Sequence, residues 1–339
     1  MDQSPTAHVF FEPGVVRAWV EAYLPLRKIQ PRFCVATGPH EEKAFLPLIL
    51  DCGGWKDLWL RQIVPVGSSE FDYHDPIADR PMSAQEWSDL WEAIWREVQV
   101  RWKDSFDVFI LPRLRGHVMP PKLGTVVDEV PIMDLNVSDM ASLLSGGRHR
   151  KFRYNIKKKI QKIEAAGNAS LRMVDSDDLP AALLAVRLFA EHHQKRWPDA
   201  STPRSYYENL ARHCLDQGYL TISQLFLGTN PISWRIGFEY HKRHCLYQRS
   251  FDESKAGLSP GTLHCYMIVK RALERGCHLV DFGRGKEAWK FQWTDKTFPL
   301  RQLQWRNGRW ASVLIAWQQS VRPKLVFLKR LVLGRKAKS

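Results

Sequence analysis

The sequence predicts an α/β protein made of two halves, with mixed and mostly antiparallel sheets flanked by helices. Three observations predict it. Residues 171–305 read strand, helix, helix, three strands, helix, strand, helix, strand. The three consecutive strands are joined by the turns GTNP and HKR, which makes them an antiparallel meander. The segment NVSDMASLLSGG, residues 136–147, is polar, small and Gly-tipped, and marks the boundary between the halves near residue 140.

In the first half, Val15, Val16, Trp19, Val20 and Tyr23 make Pro13 to Tyr23 a short amphipathic helix. Phe33 to Ala36 and Ala44 to Leu50 read as strands across the polar turn TGPHEEK, and Leu58 to Val64 as a third. Ser83 followed by Glu86 is a capping box that opens a helix. Trp87, Trp91, Trp95 and Val98 then recur at four, four and three, a face expected to pack in the core. Phe106 to Leu111 and Val126 to Leu135, the latter interrupted by Pro131, are further strands.

The second half opens with RHRKFRYNIKKKIQKIEAAG. Phe152, Ile156, Ile160 and Ile163 form an apolar stripe, the basic residues face outward, and Gly167 ends the helix. Leu171 to Val174 is a strand, and Leu179 to Trp197 and Pro203 to Leu215 are helices. Tyr219 to Leu227, Ile232 to Tyr240 and His244 to Ser250 form the meander. Gly261 to Arg275 is a helix, His278 to Phe282 a strand, Lys286 to Trp293 a short helix and Leu300 to Trp305 a strand.

Composition narrows the class. A hydrophobic fraction of 44% with 25% charged residues excludes a mainly disordered chain. Fifty Lys and Arg against thirty-six Asp and Glu give a net charge of +14, which favours polyanions: phosphates, nucleotides, nucleic acid or an anionic leaflet. The six Cys form no CxxC pair, so neither a disulfide framework nor a structural zinc site is expected, and a reducing cytoplasm fits. No run reaches the roughly 18 apolar residues of a membrane span. MDQSPTAHVFFEP lacks a basic start followed by an apolar run, so no signal peptide is expected.

The densest constellation is LYQRSFDESKAGLSPGTLHCYMIVKRAL. Gly257, Ser259, Pro260, Gly261 and Thr262 stand where the meander enters a helix. Glycine admits a ligand close to the backbone, Pro260 suits the first helical turn, and Lys255 adds charge. Such a helix start favours phosphate; it is also what an ordinary N-capped turn looks like. Gly283, Gly285 and Ala288 imitate a dinucleotide fingerprint, and Asp281-Phe282-Gly283 imitates a kinase triplet. Neither has its required context, because the strand before them follows an antiparallel meander and no HRD loop is present.

RHRKFRYNIKKKIQKIEAAG, FAEHHQKRW, YQRSFDESKAGLSPGTL and VDFGRGKEAWKFQWTDK together resemble the GNAT acyltransferase superfamily. From about Leu144 to Trp305 the chain is similar to the acetyltransferase domain related to the Fem peptidyltransferases. It resembles most specifically the CelD-like branch found with cellulose and exopolysaccharide biosynthesis. VGSSEFDYHDPI resembles that family's N-terminal portion. The resemblance implies tandem GNAT-like halves: a degenerate one over 1–140, a complete acyltransferase over 141–307, and a basic amphipathic tail over 308–339.

It further implies an acyl-CoA, in the simplest case acetyl-CoA, as donor. The acceptor it implies is an amine of a small or lipid-linked glycan. No metal is expected, since His192 and His193 lack acidic partners at ligand spacing. The loop Lys255–Thr262 would hold the pyrophosphate. Trp289-Lys290 looks like the aromatic-Lys pair of Fem-type enzymes, with Lys290 at the reacting carbonyl, where an ammonium would stabilise an oxyanion. Arg196 and Trp197 are implied substrate contacts.

Glu239, Asp252 and Asp281 are candidate bases, Tyr247 is an acid or a core residue, and Arg249 could bind an anion. Asp72, Tyr73 and Asp75 either form an Asx-type turn or meet the acceptor amine. Arg153 and Lys157 on the basic helix are a solvated face, a contact for an acceptor phosphate, or a site for tRNA, the donor of Fem-type enzymes. The tail either lies on an anionic membrane at its inner face or docks as an ordinary helix. A different class remains open, a non-catalytic accessory of a polysaccharide synthase complex.

Overall fold

The computed structural model describes residues 6–39, 41–53, 60–119 and 123–308. In chain order the first half contains α1 (Pro13–Tyr23), β1 (Ile29–Pro31), β2 (Cys34–Thr37), β3 (Lys43–Leu46), β4 (Leu48–Cys52) and β5 (Arg61–Pro65). It continues with β6 (Ile77–Ala78), α2 (Ala84–Trp102), β7 (Val108–Arg115) and β8 (Thr125–Asp134). The second half contains α3 (Met140–Leu143), α4 (Arg150–Ala166), β9 (Ala169–Met173), α5 (Leu179–Arg196), α6 (Arg204–Cys214) and β10 (Leu220–Leu227). After these come β11 (Asn230–Tyr240), β12 (Arg243–Phe251), α7 (Pro260–Glu274), β13 (Leu279–Asp281) and β14 (Thr297–Arg306).

Local signals set most boundaries. Ser83 Oγ accepts the Glu86 amide at 3.3 Å while Glu86 accepts the Ser83 amide at 2.8 Å, which completes the capping box of α2. Pro13 and Pro260 occupy first helical positions, where a missing N–H costs nothing.

Two expected elements come out differently. The strand expected at Ala44 to Leu50 is two strands broken at Pro47, which cannot donate to a ladder. β3 joins a small sheet in the order β2-β3-β6, and β4 joins the large one. The helix expected at Lys286 to Trp293 is a single 3-10 turn, Lys290–Gln292. The carbonyls of Gly283 and Arg284 that precede it turn toward the Lys290 ammonium instead of a helical ladder.

Among the described residues the large sheet has eleven strands, in the order β1-β4-β5-β7-β14-β8-β13-β12-β11-β10-β9. The β5–β7 and β12–β13 pairs are parallel and the other pairs antiparallel. β14 lies between β7 and β8, so residues 297–306 close onto strands from the first half of the chain. α1 in turn packs on α6, with Glu21 2.7 Å from His213 Nε2 and Asn209 donating to the Ala18 carbonyl. The halves therefore share one continuous sheet and exchange packing elements at both ends.

Three clusters form the main core. α1, α5 and α6 cover one face with Trp19, Phe189, Tyr206 and Trp234. Under α2, Trp87, Trp91 and Val98 of the expected stripe pack on the strands of the first half together with Leu90 and Ile94, while Trp95 is only half-buried at the edge of that cluster. α4 and α7 bury Phe152, Ile156, Ile268 and Trp293 against the second half. Among the described residues no helix is long and apolar enough to cross a membrane. The tail, from residue 309 on, lies outside the described residues.

Candidate active site

β12 and β13 run in parallel for only three pairs, Arg243–Cys245 against Leu279–Asp281. β13 then ends while β12 continues to Phe251, and a cleft of about 640 Å³ opens between them. That volume suits a ligand of cofactor size. Leu246, Tyr247 and Arg249 of β12 form one wall, and Phe282, Trp289 and Lys290 the other. Arg196 and Trp197 close it from the end of α5, and Glu70 and Asp72 enter from the first half of the chain.

A β-bulge sits on this wall. Ile236 pairs with Gln248 and Phe238 with Cys245, so Leu246 and Tyr247 together oppose the single residue Gly237. A Cβ at Gly237 would lie 2.7 Å from the Cys245 carbonyl, so only glycine permits the approach. A bulge interrupts the ladder and leaves backbone groups of the bulged strand available to a ligand. Nothing in the sequence pattern of the meander announces it.

The cleft is strongly cationic. The Arg249 guanidinium stacks on Trp289 at 3.9 Å, and that of Arg196 lies 4.1 Å from the Phe251 ring. Arg235, fully enclosed, donates to the Gly261 carbonyl at 3.1 Å. None of the three forms an ion pair among the described residues; Glu253 and Glu287 act on Arg196 and Arg249 from farther away. Burial, reinforced by Arg235 and Arg196, pushes Arg249 down to about 10. Arg196 Nη1, Arg235 Nε and Trp289 Nε1 are buried and lack a hydrogen-bond partner. A buried guanidinium flanked by two half-buried ones, with no paired carboxylate, is costly, and an anionic ligand would relieve the cost.

The expected donor loop borders this corner. Lys255 and Gly257 lie in a 3-10 turn, and Ser259 follows in the left-handed region at φ 56°. Ser259 makes no side-chain cap, so the first turn of α7 at Pro260, Gly261 and Thr262 carries no capping oxygen. Lys159 of α4 donates to Thr262 Oγ1 at 3.2 Å, which brings one lysine of the basic helix to the same place. Lys157 points to solvent, and Arg153 is tied back to the carbonyls of Leu144 and Gly146.

Lys290 lines the cleft but is enclosed. Its ammonium donates to Gly283 O at 3.0 Å and Arg284 O at 2.5 Å, and sits 2.8 Å from Glu287 Oε2. An ammonium has three donors, so all are engaged by the chain itself. The Tyr247 hydroxyl is shared with Tyr206 at 3.0 Å, and burial raises it well above the usual phenol range, so it stays neutral. Asp281 is elsewhere. It accepts the Tyr73 hydroxyl and the Gly283 amide, and both Asp281 and Tyr73 line a second cavity of about 600 Å³. Asp75 is locked in a buried pair with Arg115.

Of the other base candidates, Glu239 pairs with Arg275 and Asp252 caps the Ser254 amide. The cleft thus gathers Asp72, Arg196, Trp197, Tyr247, Arg249, Trp289 and Lys290 of the expected set. Arg235 went unnoticed in the sequence. A charged residue in a strand buried on both faces was the available signal.

Residues 150–291 match the acetyltransferase (GNAT) domain. The match spans the meander, the α7 start and the Trp289-Lys290 pair. It includes β13, which pairs with β8 of the first half, and stops short of β14, which pairs with both β7 and β8. Among curated proteins no relative matches the chain.

The fold as a whole is similar to that of FemX, with a TM-score of 0.60 at 10% identity, covering 94% of this chain and 96% of that one. It is also similar to the C-terminal domain (DUF2156) of a putative lysylphosphatidylglycerol synthetase from Agrobacterium fabrum. There the TM-score is 0.55 at 10% identity, over 89% of this chain and 94% of that one. At such identities the likeness is one of fold. The residues that match the GNAT model are therefore one part of a larger fold. Among the described residues no group of His, Cys, Asp and Glu is arranged to hold a metal ion.

Proposed function

We propose that this protein is a GNAT-type N-acyltransferase that moves an acyl group, in the simplest case acetyl, from acyl-CoA to an amine of an envelope or exopolysaccharide precursor. The observation that carries the reading is the corner formed by Arg196, Arg235 and Arg249 beside the first turn of α7. Three guanidiniums without a carboxylate partner, next to an uncapped helix start, suit the phosphates of a nucleotide-bearing donor. The thioester would then lie along β12, where the bulge at Leu246 and Tyr247 offers backbone donors to a developing oxyanion. Lys290 adds a fixed positive charge nearby and holds the Gly283–Gly285 turn in shape. The polysaccharide acceptor and the CelD-like specificity rest on sequence resemblance alone.

A second reading, an aminoacyl-tRNA-dependent transfer, is favoured by the FemX-like architecture and by the basic outer face of α4. The terminal phosphates of such a donor would use the same arginines.

The experiment is a thermal-shift and calorimetric comparison of acetyl-CoA, longer acyl-CoA thioesters and aminoacyl-tRNA on the full chain. Stabilisation by an acyl-CoA that is lost in Arg235→Met and Arg249→Met supports the first reading. Stabilisation by aminoacyl-tRNA alone supports the second. No shift with either leaves a non-catalytic accessory of a polysaccharide synthase complex as the better account.

A further inference from the structure

Four buried carboxylates lie on or against residues 70–75, and three are fully engaged. Glu70 accepts Trp19 Nε1 at 2.6 Å, the Ser69 hydroxyl at 2.5 Å and the Tyr23 hydroxyl. Asp75 accepts the Arg115 amide at 2.7 Å and its guanidinium. Asp281 accepts the Tyr73 hydroxyl and the Gly283 amide.

Asp72 differs from all three. Its sole close charge contact among the described residues is Arg284 Nε at 3.3 Å, and it accepts no hydrogen bond from them. It is 5% exposed, yet it lines the cleft. Its carboxylate lies against Gly283, where a Cβ would come within 2.9 Å of Oδ2. Gly283, at φ +69°, belongs to the turn that Lys290 clamps. Asp72 therefore reaches the cleft through a gap that only glycine leaves, with lone pairs unspent. Burial raises its carboxyl to about 6. Asp281 adds to the rise, while Arg284, Arg113 and Lys290 oppose it.

We infer that Asp72 is the general base that takes the proton from the acceptor amine. The inference rests on the acyl-transfer reading given under Proposed function. In the step, the amine nitrogen attacks the thioester carbonyl carbon. The N–C bond forms as the carbonyl π pair moves onto oxygen. Asp72 removes the proton from nitrogen, and collapse of the intermediate re-forms C=O and breaks the C–S bond. The thiolate leaves and receives the proton from Asp72, which returns to its ionised state. A base that titrates near the working pH both holds and releases a proton readily. Of the other carboxylates that line the cleft, Glu70 is saturated, Glu287 is committed to Lys290, and Asp199 is exposed to solvent. Arg284, 37% exposed, can yield its place beside Asp72 to an incoming amine.

The test uses the full chain with acetyl-CoA as donor and two amine probes, glucosamine and hydroxylamine, the second being largely unprotonated at neutral pH. Asp72→Asn should keep acetyl-CoA binding and lower kcat with glucosamine by about a hundredfold or more. The acid limb of the kcat/KM profile should vanish, and the loss with hydroxylamine should be much smaller, because the adduct of this weakly basic amine is acidic enough to give its proton to water. Arg284→Met, at the partly exposed partner, should move the acid limb to higher pH, and this arm holds even if Asp72→Asn folds poorly. An unchanged acid limb in both variants, or an equal loss with both amines, overturns the inference. A wild-type protein that binds acetyl-CoA yet acetylates neither amine overturns it too. A protein that binds no acyl-CoA overturns the acyl-transfer reading first, and this inference falls with it.

Discussion

Arg235 Nη2 donates to the carbonyl of Gly261 at 3.1 Å, which fixes the start of α7 to the middle of β11 and puts a buried guanidinium at the helix N-terminus. A buried cation at the positive end of a helix is unfavourable unless an anion occupies the space between them.

Arg235→Met should therefore separate stability from binding. Replacing an enclosed, poorly partnered guanidinium by an apolar stem of similar length should raise the stability of the ligand-free protein, by about 1–2 kcal/mol. Coenzyme A affinity should fall. Denaturant melts and calorimetry on the same preparation would check both. A variant that loses stability and binding together would make Arg235 a structural strut.

Gly261→Asp tests the helix start directly. A Cβ there meets the Phe251 ring at 3.3 Å, a contact a small ring shift absorbs. The added carboxylate would neutralise Arg235 and repel phosphate. Coenzyme A affinity should drop roughly tenfold or more, about 1.4 kcal/mol. Unchanged affinity by calorimetry would remove the loop from the site.

The basic helix should divide by position. Lys159 reaches Thr262, whereas Lys157 and Lys158 face solvent. Lys159→Glu should weaken coenzyme A binding, and less so in high salt. Lys157→Glu with Lys158→Glu should leave it unchanged. Salt-sensitive loss of binding to anionic vesicles in that double variant would instead reveal a membrane face.

Lys290→Met removes a clamp as well as a charge. Three protons now held by Gly283, Arg284 and Glu287 disappear, and the carbonyls of the turn lose their donors. The fold should lose roughly 2 kcal/mol, because bonds to a charged donor are among the stronger ones. If the ammonium also stabilises an oxyanion, turnover should fall about a hundredfold at saturating acetyl-CoA, with donor affinity little changed. A stability loss with normal turnover would confine Lys290 to holding the turn.

Asp72 should leave a signature in the pH dependence of stability. Its carboxyl is raised to about 6 in the fold, against about 3.9 in an unfolded chain. The fold thus disfavours the ionised form. The penalty is absent below about pH 4, grows between pH 4 and 6, and is complete above. Asp72→Asn should gain on wild type through that window by roughly 3 kcal/mol. A pH-independent difference between the two proteins would mean that Asp72 titrates normally.

Much of the architecture is legible locally. The meander, the capping box of α2, the Pro260-Gly261 helix start and the amphipathic basic helix each rest on residues a few positions apart. Their periodicity and backbone preferences therefore decide them. A proline alone does not decide a break: the strand parts at Pro47, but β8 runs unbroken through Pro131, where the sequence predicts an interruption. Trp289-Lys290 also stands in the sequence as a motif, and the cleft includes both residues.

The order of the elements, the meander and the charged character of the chain are all written in the amino-acid sequence. The tertiary structure alone decided which charges meet. Asp72 reaches the cleft because a loop of the first half packs on Gly283. Asp281 is drawn away to Tyr73, and Arg235 finds α7 by crossing from the middle strand of the meander. β14 threads between β7 and β8, and β13 pairs with β8, which makes one sheet of two halves. The physical reason is that propensity and periodicity act over a few residues. Burial, ion pairing and desolvation depend on groups that long loops bring together from anywhere in the chain.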